Sequence, residues 1–147
     1  MSENDEERLL HEICRNSSMG REVIHEVLKD VYDEEFSYEL HVQEGKMQEF
    51  EQRARQRLRQ SGKDAVEPGP LTSGMLKVAV RMKTAVSGRT SQVAEMIRKG
   101  NQRGTEELKK AIHKYRNAGI YATELAREMI DFEEDNQEKM KRYGNRA

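Results

Sequence analysis

The residue types best able to carry chemistry in this chain include its histidines and one Glu-x-x-His pair, Glu22 and His25. On a helix, Glu-x-x-His supplies metal ligands in bundles that hold two metal ions, together with inward carboxylates from the other helices. Gly20 and Ile24 take the inward positions of the same apolar pattern, so Glu22 is expected to point away from the core. We interpret the pair as part of a solvated helix face.

A metal site in a helical bundle also needs carboxylates on the inner faces of the other helices. The positions that the apolar spacing turns inward carry no Asp, Glu or His. We therefore predict no metal site and no other cofactor. Glu44 and Glu133 lie beside the inner positions, and they are the candidates if the helices are rotated from the predicted orientation.

The other reactive residue types form no catalytic pattern. His11, His41 and His113 fall on different predicted helices and lack metal-ligand spacing, and Cys14 is interpreted as a buried, inert thiol. There is no glycine-rich phosphate loop and no Ser-His-Asp or Cys-His grouping. We predict that the protein is not an enzyme.

Uncharged polar residues take inner positions instead, namely Ser17, Gln43, Asn101 and Asn136. Amides are poor ligands for iron or manganese compared with carboxylates and imidazoles. An unsatisfied buried amide costs about 1–3 kcal/mol, so Gln43, Asn101 and Asn136 are expected to share one polar layer. The layer would fix helix register, with a small-ligand or water site as the alternative. Ser17 is expected near the other end of the bundle.

Two glycines four residues apart, Gly100 and Gly104, lie inside a predicted helix. Each costs up to about 1 kcal/mol relative to alanine in that setting. We predict that both serve tight helix packing, because a glycine lets another helix approach the backbone closely.

The elements that position all these residues are helices. Apolar residues recur by threes and fours, which predicts helices over about residues 5–31, 34–61, 73–87, 91–117 and 120–143. Very short connections make the first two helices one antiparallel hairpin and the last two another. Both prolines lie in the break "DAVEPGPLTS", and the short apolar helix after it is predicted to lie across the bundle. The length predicts a single domain, 1–147.

Four segments of the chain are informative when taken together, namely "LLHEICRNSSMG", "LRQSGKDAVEPGPLTS", "AEMIRKGNQRGTEELKKAIHKY" and "FEEDNQEKMKRY". In order and spacing they resemble an uncharacterised bacterial family of ferritin-like four-helix proteins, and the resemblance covers about residues 9–143. The tail "GNRA" departs from that family's apolar ending. The resemblance implies an all-α, ferritin-like four-helix bundle with a short extra crossover helix, and it implies no activity. A simple up-down-up-down bundle is the alternative, and it would bring Asn101 and Asn136 beside Ser17.

Charge and composition disfavour several classes of function. The 26 Lys+Arg balance 27 Asp+Glu to a net charge of -1, which leaves no electrostatic footprint for nucleic acid. The start "MSENDEERLL" has no secretion-signal pattern, and nothing approaches the roughly 18 apolar residues that span a bilayer. We expect a cytoplasmic protein.

The sequence therefore predicts a non-catalytic helical bundle that binds a protein partner or associates with itself. One alternative is a metal-binding or redox ferritin-like protein that uses the flanking carboxylates. Another is a protein that binds membrane surfaces through residues 74–86, where Lys77, Arg81 and Lys83 accompany apolar residues.

Overall fold

The computed structural model describes residues 4–63 and 89–145 of the chain. These residues form four helices, α1 (Asp5–Leu28), α2 (Glu34–Gln60), α3 (Thr90–Lys114) and α4 (Ile120–Tyr143). Neither range contains a strand, and the predicted all-α class is confirmed to that extent. α1 ends at Leu28 rather than near Val31, and α3 ends three residues earlier than predicted, at Lys114. The helix predicted over 73–87 lies outside the described residues.

Local sequence signals set several helix ends. The side chains of Asn4 and Asp33 accept hydrogen bonds from the backbone N–H groups of Glu7 (2.8 Å) and Phe36 (3.0 Å), so both residues are N-caps. After α2, Gly62 has a φ of 74°, a left-handed conformation that favours glycine at a helix end. Residues close in sequence therefore mark both ends of α2.

α1 and α4 run in the same direction. α1 packs mainly against α2, and α3 packs mainly against α4. Asn117 precedes α4, and its backbone N–H donates to the Asp5 carboxylate at the start of α1 (3.1 Å). α1 and α4 therefore begin at the same end of the bundle.

α2 runs opposite to α4 along its whole length. Near the start of α2, the rings of Phe36 and Tyr143 lie 4.9 Å apart, and near its end Arg57 lies 5.2 Å from the Tyr121 ring. α3 is also antiparallel to α4, because the two form a hairpin. α2 and α3 consequently run in the same direction, and α2 ends at the opposite end of the bundle from the start of α3.

Buried apolar side chains form two clusters, one towards each end of the bundle. The large cluster, where α1 and α4 begin, comprises Leu9, Leu10, Ile13, Cys14, Met47, Phe50, Ala54, Leu58, Leu108, Ala111, Ala118, Ala122, Leu125, Ala126, Met129 and Ile130. The small cluster, at the other end, comprises Ile24, Val27, Phe36, Leu40, Val93, Ala94, Ile97, Met140 and Tyr143. Every helix contributes to both clusters, so every helix also crosses the space between them.

Candidate functional site

Between the two apolar clusters, each helix buries only polar residues or glycine. We call these residues the polar section: Ser17, Ser18, Gln43, Asn101, Gly104, Thr105, Glu133 and Asn136. The interior of a helical bundle is a common place for a ligand site built from facing helices. The polar section is therefore the first candidate site of this protein.

Gln43 and Asn136 lie inside the polar section at a similar height. Both side chains are 1% exposed. The Gln43 amide nitrogen lies 3.9 Å from the sulfur of Met140, which is one turn along α4 from Asn136. Glu39, one turn before Gln43 on α2, lies 3.7 Å from Lys139, which is three residues after Asn136 on α4. Because α2 and α4 are antiparallel, this contact also places Gln43 opposite Asn136.

Asn101 reaches the same height from α3. It is 4% exposed and lies one turn before Thr105. The side chain of Gln137, the residue after Asn136, donates to the Thr105 hydroxyl at 3.4 Å. In the part of the chain that the structure describes, no direct hydrogen bond joins the three amide side chains of Gln43, Asn101 and Asn136.

Ser17 lies in the middle of the bundle, and the expectation that it lies near the other end is wrong. Its neighbour Asn16 donates to the backbone carbonyl of Gly104 at 3.2 Å, which brings this turn of α1 against α3. Ser17 is close to the midpoint of α1, whereas the contact between His25 and Glu44 (3.2 Å) places Gln43 about two turns further along α1. The Ser17 hydroxyl donates to the Ile13 carbonyl (2.7 Å) and is satisfied within its own helix.

Glu133 is buried in the polar section, so the expectation that no carboxylate faces inward is wrong at this position. Its exposure is 2%, whereas the preceding residue, Phe132, is only partly buried. The buried face of α4 is wide enough to include Ala126 and Ile130, and continuing that row by three residues reaches Glu133. This second row is the sequence signal that could have identified it.

Burial, together with the smaller effect of the negative charge of Glu107 on α3, raises the pKa of Glu133 to about 8. An isolated carboxylate is expensive to remove from water, so the neutral form is favoured. At neutral pH the Glu133 carboxyl is therefore mostly protonated.

The two glycines of α3 have different surroundings. A Cβ atom added to Gly104 would lie 2.6 and 2.8 Å from the Glu133 carboxyl oxygens and 3.0 Å from the Asn16 side-chain oxygen. A Cβ atom added to Gly100 would meet nothing within 4 Å. The packing explanation therefore fails for Gly100, which lies on the exposed side of α3, whereas Gly104 makes room for the Glu133 side chain.

Four polar atoms of the section have no hydrogen-bond partner among the described residues. They are Gln43 Oε1, Asn101 Oδ1, Glu133 Oε2 and Asn136 Nδ2. Buried polar atoms in proteins are nearly always paired, either with protein groups or with a bound water or ion. Their concentration in one section of one bundle indicates that a bound species belongs there.

Two further carboxylates are buried outside the polar section, which also corrects the expected absence of inward acids. Glu51 lies 3.0 Å from Arg21 and 3.2 Å from Arg55, and Glu7 lies 3.6 Å from Lys63. Both acids are next to a basic side chain at the edge of the bundle, so they are structural ion pairs rather than free ligands. The Glu51–Arg55 spacing of four residues could have identified that pair.

Glu44, the other flanking candidate, does not enter the polar section. It is half-buried between α1 and α2, where its carboxylate lies 3.2 Å from His25 Nδ1 and 3.9 Å from His41 Nδ1. Within residues 4–63 and 89–145, no group of three or more His, Cys, Asp or Glu side chains is suited to hold a metal ion.

Cys14 is buried in the large cluster. Burial raises the pKa of its thiol to about 11, while the nearby Arg55 lowers it and Glu51 raises it. The thiolate is the reactive form of cysteine, so this side chain is chemically quiet at neutral pH.

The outer face of α2 is the second feature with functional potential. Tyr38 is 67% exposed and Val42 is 40% exposed, and they lie on one face of α2 with the exposed Gly45. A Cβ atom added to Gly45 would meet nothing within 4 Å, so no contact among the described residues explains this glycine. Gln48 and Gln52 continue the exposed face without charge.

No family model matches the chain, and neither a curated protein nor a solved structure matches it significantly. None of the helices in the described ranges is long and apolar enough to cross a membrane.

Proposed function

We propose that the protein is a ferritin-like, non-catalytic four-helix bundle of the cytoplasm that functions by associating with a second copy of itself. The ferritin-like assignment is supported by the shared direction of α2 and α3. Ferritin-like bundles have one long crossover connection between two hairpins, and that connection makes the second and third long helices parallel. The sequence resemblance to a ferritin-like family points the same way.

The observation that carries the association is the exposed face of α2. Tyr38, Val42 and Gly45 follow each other at spacings of four and three residues, and Tyr32 just before the helix is also exposed. Tyrosine is enriched at protein interfaces because its ring buries a large area at little entropic cost. A glycine on an exposed helix face lowers helix stability but allows a second helix to approach closely.

The composition of this face favours a second copy as the partner. In a two-fold symmetric dimer, the same surface patch meets itself, so any net charge on the patch would repel its copy. Tyr38, Val42, Gly45, Gln48 and Gln52 carry no charge, and the neighbouring Lys46 and Glu49 lie 3.5 Å apart as a pair. The face can therefore pack on itself with the two α2 helices crossing near Gly45.

Sedimentation velocity of the full chain over a range of concentrations tests this proposal. Wild type is expected to be a dimer, and Val42→Glu is expected to be a monomer because it buries two unpaired charges at the contact. Ile120→Glu is the matched control, since Ile120 is exposed at the start of α4, outside the face. A monomeric wild type, or a Val42→Glu variant that dimerises as well as wild type, would contradict the proposal.

The two exposed glycines provide a second pair of matched variants. Gly45→Gln should weaken the dimer by preventing close approach of the helices, whereas Gly100→Gln on α3 should leave it intact. Both positions are exposed, and an added Cβ atom meets nothing within 4 Å among the described residues at either one, so both variants should fold. Equal dimer affinity in the two variants would show that Gly45 does not lie in the interface.

A metal-binding or redox ferritin-like protein is the second candidate, and the burial of Glu133 in mid-bundle is the observation that favours it. Metal analysis of protein purified from medium supplemented with iron, manganese and zinc tests it. Two equivalents of tightly bound transition metal would favour this candidate over the non-catalytic bundle. The membrane-surface alternative rests on residues 74–86, which lie outside the described residues.

A further inference from the structure

The polar section contains a buried carboxyl group that no basic side chain of the described residues neutralises. Glu133 Oε2 is unpaired, and so are Gln43 Oε1 and Asn101 Oδ1. Each of the three side chains is at most 4% exposed. Together they present three oxygen atoms, which are the ligand atoms that hard cations prefer.

These oxygens come from three helices, within neighbouring turns of the polar section. Gln43 from α2 contacts Met140, one turn beyond Asn136 on α4. Asn101 lies one turn before Gly104 on α3, and Gly104 is directly against the Glu133 carboxyl. Glu133 and Asn136 are themselves one turn apart, so the unpaired atoms lie within neighbouring turns.

We propose that the polar section binds one monovalent metal cation, sodium or potassium, through Glu133, Gln43 and Asn101. Asn136 completes the site, because rotation of its amide by half a turn presents Oδ1 to the cation in place of Nδ2. Gly104 makes room for the Glu133 carboxylate, which a side chain at that position would displace.

The charge count selects a monovalent rather than a divalent cation. The section offers one carboxylate, and the amides are neutral. One carboxylate neutralises one positive charge, whereas a divalent ion would leave an uncompensated charge between two apolar clusters, which is strongly unfavourable. Amide oxygens supply further coordination without adding charge.

Binding exchanges a proton for the cation at Glu133. The neutral carboxyl group releases its proton to solvent, and the carboxylate oxygen then coordinates the metal ion, so the net charge of the site does not change. Among the groups that face Glu133, α3 contributes the negative charge of Glu107 and the neutral Gly104, and α1 contributes the neutral Asn16. On α2, Glu51 is already paired with Arg21 and Arg55. Affinity for the cation should therefore rise with pH as the competing proton is lost.

Thermal unfolding of the full chain in NaCl, KCl and choline chloride at equal ionic strength tests the proposal, at pH 6 and at pH 9. The choline cation is too large for the section and serves as the salt control. For wild type, sodium or potassium should raise the melting midpoint by a few degrees over choline at pH 9, and by less at pH 6. Magnesium chloride at matched ionic strength should give no larger rise than sodium or potassium.

Two Glu→Gln variants on adjacent residues separate this site from general salt effects. Glu133→Gln should lose the difference between sodium or potassium and choline, whereas Glu134→Gln, whose side chain is exposed beside Lys109, should retain it. Sodium-23 NMR relaxation on the folded proteins gives a second readout that does not depend on unfolding. Equal midpoints for wild type in all three salts would overturn the proposal. So would an unchanged ion effect in Glu133→Gln, or a magnesium effect that exceeds both monovalent ions.

Discussion

Glu51 and Glu133 are two buried carboxylates in the same bundle, with opposite surroundings. Glu51 lies between Arg21 and Arg55 at 3.0 and 3.2 Å. Glu133 has the Gly104 backbone and the neutral Asn16 beside it, and burial raises its pKa to about 8. Two buried acidic side chains thus differ in their partners, because the neighbouring helices decide whether a basic side chain lies beside each of them.

The difference separates a structural residue from a candidate site residue. The Glu51 carboxylate accepts hydrogen bonds from Arg21 on α1 and from Arg55 one turn along α2. Both of its oxygen atoms therefore already have partners. Glu133 Oε2 and the three amides retain unused hydrogen-bonding capacity in the interior. A folded protein keeps such groups only where a bound species or a functional constraint compensates for them.

The largest effect is expected from Glu133→Gln at high pH in choline buffers. The pKa of Glu133 is about 8 in the folded chain and near 4.5 when unfolded, so folding favours its protonated form. The stability that this group contributes is fully present below about pH 4.5 and is lost as pH rises towards 8. Chemical denaturation should show equal stability near pH 4.5 and a variant more stable than wild type by roughly 3–5 kcal/mol at pH 9. Parallel pH profiles would contradict the raised pKa.

Glu51→Gln should lower the stability of the fold, whereas Glu133→Gln should raise it. Removing the carboxylate deletes the ion pairs that Glu51 makes with Arg21 and Arg55, and the expected loss is about 1–3 kcal/mol of unfolding free energy at pH 7. Denaturant titration measures it, with Glu49→Gln as the control because the Lys46–Glu49 pair is exposed. A loss no larger than that of Glu49→Gln would show that the two arginines are adequately solvated without Glu51.

Gly104→Ala should destabilise the fold by about 1–2 kcal/mol, because the added methyl group meets the Glu133 carboxyl group at 2.6 Å. The same change in a Glu133→Ala background should cost less, with a coupling of about 1 kcal/mol between the two positions. Thermal melts of the four proteins give the coupling directly. Additive effects would mean that Gly104 does not make room for Glu133.

Gly100→Ala should give the smallest effect, a stabilisation of up to about 1 kcal/mol. Its added methyl group meets nothing within 4 Å, so only the helix propensity changes. The same thermal melts measure it. A lower midpoint for Gly100→Ala would indicate that this face of α3 has a contact that the described residues do not provide.

Much of the local structure followed from the sequence. The apolar spacing predicted a helix over residues 34–61, and α2 begins at Glu34 and ends at Gln60, where Asp33 caps its start and Gly62 follows its end. Helical ends depend on residues close in sequence, which is why such signals are readable there. The inward direction of Gln43, Asn101 and Asn136 followed from the same periodicity.

The position of Glu133 did not follow from it. A helix has 3.6 residues per turn, so a buried face can be one row wide or two, and the pattern of α4 fits either width. Only the packing of α3 against α4 places the second row inside. Gly100 and Gly104 show the same limit, because they are one turn apart and differ only in what the other helices place beside them.

The sequence by itself determined which segments are helical, that Gln43, Asn101 and Asn136 face inward, and that the chain makes two hairpins. Each of these depends on neighbours along the chain. Tertiary structure decided that Glu133 lies among those amides with no basic side chain of the described residues beside it, while Glu51 lies between two arginines. The physical reason is that desolvation and Coulomb interactions depend on distances between helices. Those distances are set by the packing of the whole bundle, and no local pattern in the sequence specifies them.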